Sequence, residues 1–151
     1  MAILYLDTSA LVKLYVRETG TERMLALAHP DAGHRLAIVS LSRIEFRAAI
    51  RRRAKLGDVE PLVAEGLLRD FGQHAANIFQ VQPLNDVVLD EAAGAIDRHA
   101  LRAYDAVQLG GCLALRSSLR SAIEVQFVCA DASLFAAACA DGLTAINPCE
   151  E

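Results

Sequence analysis

Ile3-Leu4-Tyr5-Leu6-Asp7 near the start, read against Phe127-Val128-Cys129-Ala130-Asp131 near the end, decides the architecture. Each is a short, continuously apolar run that stops on an aspartate. A run without polar alternation suits a parallel strand covered on both faces, not a strand with one wet side. Working outward, the pattern predicts strands over 2–6, 36–39, 78–81, 125–130 and 143–146. Helical spacing fills the intervals. Ala10, Leu11, Leu14 and Tyr15 lie on one helix face, and helices are expected over about 21–28, 42–55 with Gly57 as its stop, and 58–77 with Asp58 as N-cap and Pro61 in the first turn. Three more are expected: one ending near His99, one over about 104–119 and one over 133–139. This alternation predicts one α/β domain spanning 1–151, a parallel sheet with helices on both faces.

Composition agrees. The chain has 151 residues, 54% of them hydrophobic, enough for a sizeable core in a single domain. Its 15 Lys+Arg against 19 Asp+Glu give a formal net charge of -4. That balance counts against a protein that coats nucleic acid through bulk positive charge, but not against an enzyme that reaches phosphates through bound metal. Cys112, Cys129, Cys139 and Cys149 show no C-x-x-C spacing, so they read as buried or free thiols of a reducing compartment. No signal peptide and no membrane-spanning run is visible, and a soluble, cytoplasmic protein is expected. G-x-S-x-G, P-loop and G-x-G-x-x-G motifs are all missing, which argues against acyl transfer, NTP hydrolysis and dinucleotide binding. His29, His34, His74 and His99 fall in turns or at helix ends, beside no acid in sequence, so histidine-based nuclease chemistry is not expected.

Four acids form the candidate site: Asp7, Glu45, Asp105 and Asp131. Singly, each has a plainer role. Asp7, Asp105 and Asp131 precede helical patterns, where Asp is a favoured N-cap, and Glu45 could complement a helix dipole. As a set they say more, because residues just past the carboxyl ends of parallel strands meet in one crevice. Acids gathered there repel one another unless cations intervene, and magnesium or manganese prefers oxygen ligands. Arg43, Arg47 and Arg51 repeat every four residues on the helix that carries Glu45. They read either as a solvated face or as contacts to a phosphate backbone.

The blocks Tyr5-Leu6-Asp7-Thr8-Ser9-Ala10-Leu11, Arg43-Ile44-Glu45, Leu101-Arg102-Ala103-Tyr104-Asp105-Ala106 and Phe127-Val128-Cys129-Ala130-Asp131 resemble PIN-domain ribonucleases. Within that family they are most similar to VapC toxins of type II toxin–antitoxin pairs. The resemblance covers the whole chain to Asn147-Pro148. It implies a three-layer α/β/α sandwich with a central parallel PIN-like sheet. It also implies a metal-dependent endoribonuclease holding Mg2+ or Mn2+ on Asp7, Glu45, Asp105 and Asp131, with Ser9 supporting the first acid. A homodimer and inhibition by a VapB-type antitoxin follow from the same resemblance, and Leu11, Leu14, Tyr15 and Leu25 are candidates for either contact. The alternatives are a PIN-domain RNA-processing nuclease outside a toxin pair and a non-catalytic α/β interaction module in which the acids are caps.

Overall fold

In the computed structural model, which describes residues 1–120 and 122–150, all four residues of the first strand, β1 (Ile3–Leu6), are buried. Side chains alternate across a strand. Ile3 and Tyr5 therefore join one apolar core and Leu4 and Leu6 the other, so β1 is covered on both faces. Along the chain follow α1 (Thr8–Val12), α2 (Thr21–Ala28), β2 (Arg35–Val39), α3 (Ser42–Leu56), α4 (Pro61–Asn77) and β3 (Gln80–Gln82). Then come α5 (Asp86–His99), α6 (Ala103–Ser118), β4 (Val125–Val128), α7 (Ala132–Ala140) and β5 (Thr144–Ile146).

The five strands form one sheet in the order β3-β2-β1-β4-β5, every neighbouring pair parallel. Residues of α1 to α4 pack on the face of Leu4, Leu6, Ile38 and Val128, and residues of α5, α6 and α7 on the face of Ile3, Tyr5, Val39 and Phe127. The expected three-layer α/β/α sandwich is therefore the observed one. The expected domain span of 1–151 includes Ser121 and Glu151, which lie outside the described residues. No helix among the described residues is long and apolar enough to cross a membrane.

Two local expectations need correction. The first helix does not run through Tyr15: it ends at Val12, and the bonds of Lys13, Leu14 and Tyr15 to the carbonyls three residues back tighten the chain into a 3-10-like turn. Asp58 does not cap the fourth helix. Its amide bonds the Arg53 carbonyl, completing with left-handed Gly57 the end of α3, and α4 starts instead with Pro61 in its first position behind Glu60.

The turn after α1 places Lys13, 7% exposed, against Glu18 at 2.9 Å, and Arg53 reaches the other Glu18 oxygen at 2.9 Å. Burial alone would raise the Glu18 carboxyl, but the hydrogen bonds and charges of Lys13 and Arg53 hold it below its ordinary value. A lowered folded value contributes stability above the ordinary glutamate range that disappears as pH falls through the lowered one. Glu18→Gln leaves the Lys13 ammonium buried with weaker compensation. The expected loss, measured by urea unfolding at pH 7, is about 2 kcal/mol.

Candidate functional site

Starting from β1, the chain builds outward through β2 to β3, then returns to place β4 on the other side of β1 and β5 beyond it. Connections leave β1 and β4 in opposite directions, so the gap at their carboxyl ends is the crevice where parallel α/β sheets bind ligands. Asp7 directly follows β1, and Asp131 lies three residues beyond β4. Both do cap helices. Asp7 Oδ1 accepts from the Ala10 amide at 3.1 Å, and Asp131 Oδ1 from the Leu134 amide at 2.9 Å. Capping and ligand binding are compatible here, since the cap engages one oxygen of each carboxylate.

Ser9 joins the two strand ends. Its hydroxyl donates to Asp7 Oδ1 at 2.6 Å and accepts from the Ala130 amide at 2.9 Å. Cys129 stiffens the same loop, its Sγ lying 3.3 Å from the Asp131 amide nitrogen and 3.4 Å from the Asp131 carbonyl. Asp7 itself is 5% exposed, and among the described residues no lysine, arginine or histidine pairs with it. Burial raises its carboxyl from 3.8 to about 6 despite the hydrogen bonds from Ser9 and Ala10 that favour the charged form. The result is a buried acid without a counter-charge.

Asp105 is not a cap. It is the third residue of α6, behind Arg102 at the N-cap, and it is half-buried. Two guanidinium nitrogens of Arg102 reach Asp105 Oδ2, each at 3.1 Å. Glu45, in the first turn of α3, is also half-buried; its Oε1 accepts from Thr8 Oγ1 at 3.1 Å and from Gln108 Nε2 at 2.7 Å. Gln108 Nε2 also approaches Ser42 Oγ at 3.0 Å and Thr8 Oγ1 at 3.1 Å. Gln108 was not among the residues picked out in the sequence. Its signal was present: a lone polar residue within Ala106-Val107-Gln108-Leu109, three positions after Asp105 and so on the same helix face.

The acids meet in pairs. A depression of about 270 Å³ is lined by Asp105, Asp131, Arg102, His99 and Ser133, and a second of about 250 Å³ by Glu45, Asp105, Arg102 and Tyr104. Asp105 thus stands between Asp131 and Glu45, while Asp7 lines neither depression. Among the described residues no group of three or more acids, histidines or cysteines stands as a ready-made metal site. The donor chemistry nevertheless fits a hard divalent cation, because the set is all oxygen and Asp7 is buried without compensation.

The remaining candidates separate. Arg43 and Arg47 line a depression of about 330 Å³ between α3 and α4 with Ile44, Leu68 and Phe71, and Arg51 pairs with Glu65 of α4 at 2.6 Å. Glu45 is about 200° around the helix from either arginine, so the basic stripe faces away from the acids. The arginine at the acids is Arg102. His99 lies 2.9 Å from Asp141, which Arg98 also holds, and His74 lies 2.7 Å from the Tyr15 hydroxyl. Leu11 is fully buried and Leu14 and Tyr15 partly so, which leaves Leu25, 44% exposed, as the one of the four apolar candidates open to a partner.

No protein-family model matches the sequence, and no curated protein does. Solved structures do match. A chain of VapBC2 from Rickettsia felis, in a crystal with a DNA fragment from their promoter, has a TM-score of 0.65 at 12% identity over 96% of this chain and 98% of that one. A chain of a toxin–antitoxin complex from Klebsiella pneumoniae scores 0.61 at 17% identity, covering 98% and 99%. PAE2754 from Pyrobaculum aerophilum scores 0.61 at 26% identity, covering 90% and 84%. The fold is the one that the sequence resemblance implies.

Proposed function

We propose that the chain is a metal-dependent endoribonuclease of the PIN kind and the toxin of a VapBC-type pair. The observation that carries this reading is Asp7: a buried carboxylate with no counter-charge among the described residues, at the crevice between β1 and β4, tied by Ser9 to the loop that leads to Asp131 and followed in the chain by Thr8, which holds Glu45. The structural likeness to chains of toxin–antitoxin complexes supports the same reading.

Asp7, Glu45, Asp105 and Asp131 would hold magnesium or manganese. Such an ion, when bound, makes a water nucleophilic near neutral pH and counters charge on the leaving oxygen. Ser9 holds Asp7 in one rotamer and ties it to the β4 loop. Arg102 pairs with Asp105 until a cation takes its place, which would free the guanidinium to meet a phosphate. Attack by water, not by the RNA 2′-hydroxyl, leaves 5′-phosphate and 3′-hydroxyl ends. A VapB-type antitoxin and a second copy of the chain are the partners in this reading, in the cytoplasm, with exposed Ile44, Leu62, Val63 and Val87 as apolar surface for them to cover.

One observation favours a second reading, a non-catalytic interaction module: Asp7 and Asp131 act as caps and, among the described residues, no three ligands stand together. Purified protein with total cellular RNA separates the two. Cleavage with Mg2+ or Mn2+ that stops with chelator and leaves 5′-phosphates supports the nuclease; intact RNA, or cyclic-phosphate ends, goes against it. The Arg102 contact adds a smaller prediction. Exposed ion pairs contribute up to about 1 kcal/mol, so Arg102→Ala should tighten Mn2+ binding about two- to fivefold by titration calorimetry.

A further inference from the structure

Four helices supply or adjoin the acids, and one side chain joins three of them, α1, α3 and α6. Gln108, 2% exposed, extends its amide nitrogen from α6 to Thr8 of α1 and to Ser42 and Glu45 of α3. The shortest of these contacts, 2.7 Å, goes to the Glu45 carboxylate. The amide orientation follows from that charge, because a carbonyl turned toward Glu45 would set two acceptors against each other. The consequence is visible at the other end of the group: Gln108 Oε1 is sealed from solvent with no hydrogen-bond partner. A buried unsatisfied carbonyl is a cost that a side chain present only to fill space would avoid. Leucine would fill a similar volume without it.

We infer that Gln108 is a positioning residue that fixes Glu45 Oε1 inward, so that the other Glu45 oxygen is presented to the cation. This rests on the metal-binding reading proposed above. The pull is cooperative with Thr8, whose hydroxyl donates to the same Oε1 at 3.1 Å and itself lies 3.1 Å from the Gln108 nitrogen. Thr8 follows Asp7 in the chain, so the amide links the position of Glu45 to the segment that carries Asp7. Asp105 lies one turn away on the same face of α6. Gln108 therefore sets the spacing among three acids without touching the reacting atoms.

The test is Mn2+ titration calorimetry on the full chain, with thermal melting of the metal-free protein in parallel. Gln108→Leu is expected to bind Mn2+ about 10–100-fold more weakly, the range found when a partner of a metal ligand is removed. Its melting temperature should change little, since the sealed carbonyl is lost together with the amide's contacts to Thr8, Ser42 and Glu45. Gln108→Glu keeps the volume, sets a like charge against Glu45, and carries the test if the leucine variant does not fold. A role in packing alone would do the reverse, lowering the melting temperature at unchanged affinity, and would overturn the inference. So would loss of folding in both variants. Wild type that binds Mn2+ no better than its variants overturns the inference and spares the metal reading; wild type that binds no Mn2+ overturns both.

Discussion

Asp7→Asn should make the metal-free protein more stable while abolishing its chemistry. The folded Asp7 carboxyl titrates at about 6 against an ordinary 3.8, with burial as the leading cause. A raised folded value means that the folded state holds the proton more tightly than the unfolded chain. Stability therefore falls as pH rises from about 4 to about 6, then levels off at its lower value. Two pKa units correspond to about 3 kcal/mol, so at pH 8 the asparagine variant should exceed wild type by up to about that amount in urea unfolding, and by nothing near pH 3.5. Asparagine keeps the oxygen that caps α1, so no cap is lost. Added Mn2+ should stabilise wild type and not the variant, because only a ligand that binds the folded state raises stability. RNA cleavage should drop by about 10³-fold or more, the scale of several kcal/mol of lost charge stabilisation. A variant less stable than wild type at pH 8 would show that Asp7 is a cap with a counter-charge of its own.

Gly110→Ala should unfold the protein more readily, although alanine is the better helix former. A Cβ at Gly110 would lie 2.7 Å from the Ala92 nitrogen, 2.9 Å from the Val88 carbonyl oxygen and 3.1 Å from the Ala92 Cα. All three are backbone atoms of α5 and cannot rotate aside. Gly→Ala gains about 1 kcal/mol of helix propensity, and overpacking costs about 1–3 kcal/mol, at the upper end where backbone is struck. The net loss is expected at about 2 kcal/mol. Gly72→Ala in α4 supplies the control: its Cβ meets nothing within 4 Å, and a gain of about 0.5–1 kcal/mol is expected. Chemical denaturation of both variants measures the difference. Equal responses would mean that α5 and α6 can separate without strain.

The strands were legible because β1 and β4 carry nearly unbroken apolar runs, and such runs have few other uses. The positions of Asp7 and Asp131 followed from the same runs. The network at Glu45 was not legible. Its members Thr8, Ser42, Glu45 and Gln108 come from α1, α3 and α6, and contacts between residues 37 to 100 positions apart leave no local period. The pairing of Arg102 with Asp105 is local, three residues apart, yet it emerged only once Arg102 proved to be the N-cap of α6. The arginine stripe failed as a neighbour of the acids for a geometric reason already in the sequence: residues two apart on a helix lie on nearly opposite sides.

The strand order also fixes when in synthesis the crevice can exist. β1 leaves the ribosome first, and one of its neighbours, β2, follows soon, with Ile3 opposite Arg35; the other pairs Ile3 with Val125. The central strand must therefore wait for most of the chain before its second edge is covered, and closing so long a loop is slow. A nascent chain carries Asp7, Glu45 and Asp105 well before the loop at Asp131 arrives to face them. Whatever the acids do at that edge, the protein cannot do it until β4 and the loop at Asp131 have been made.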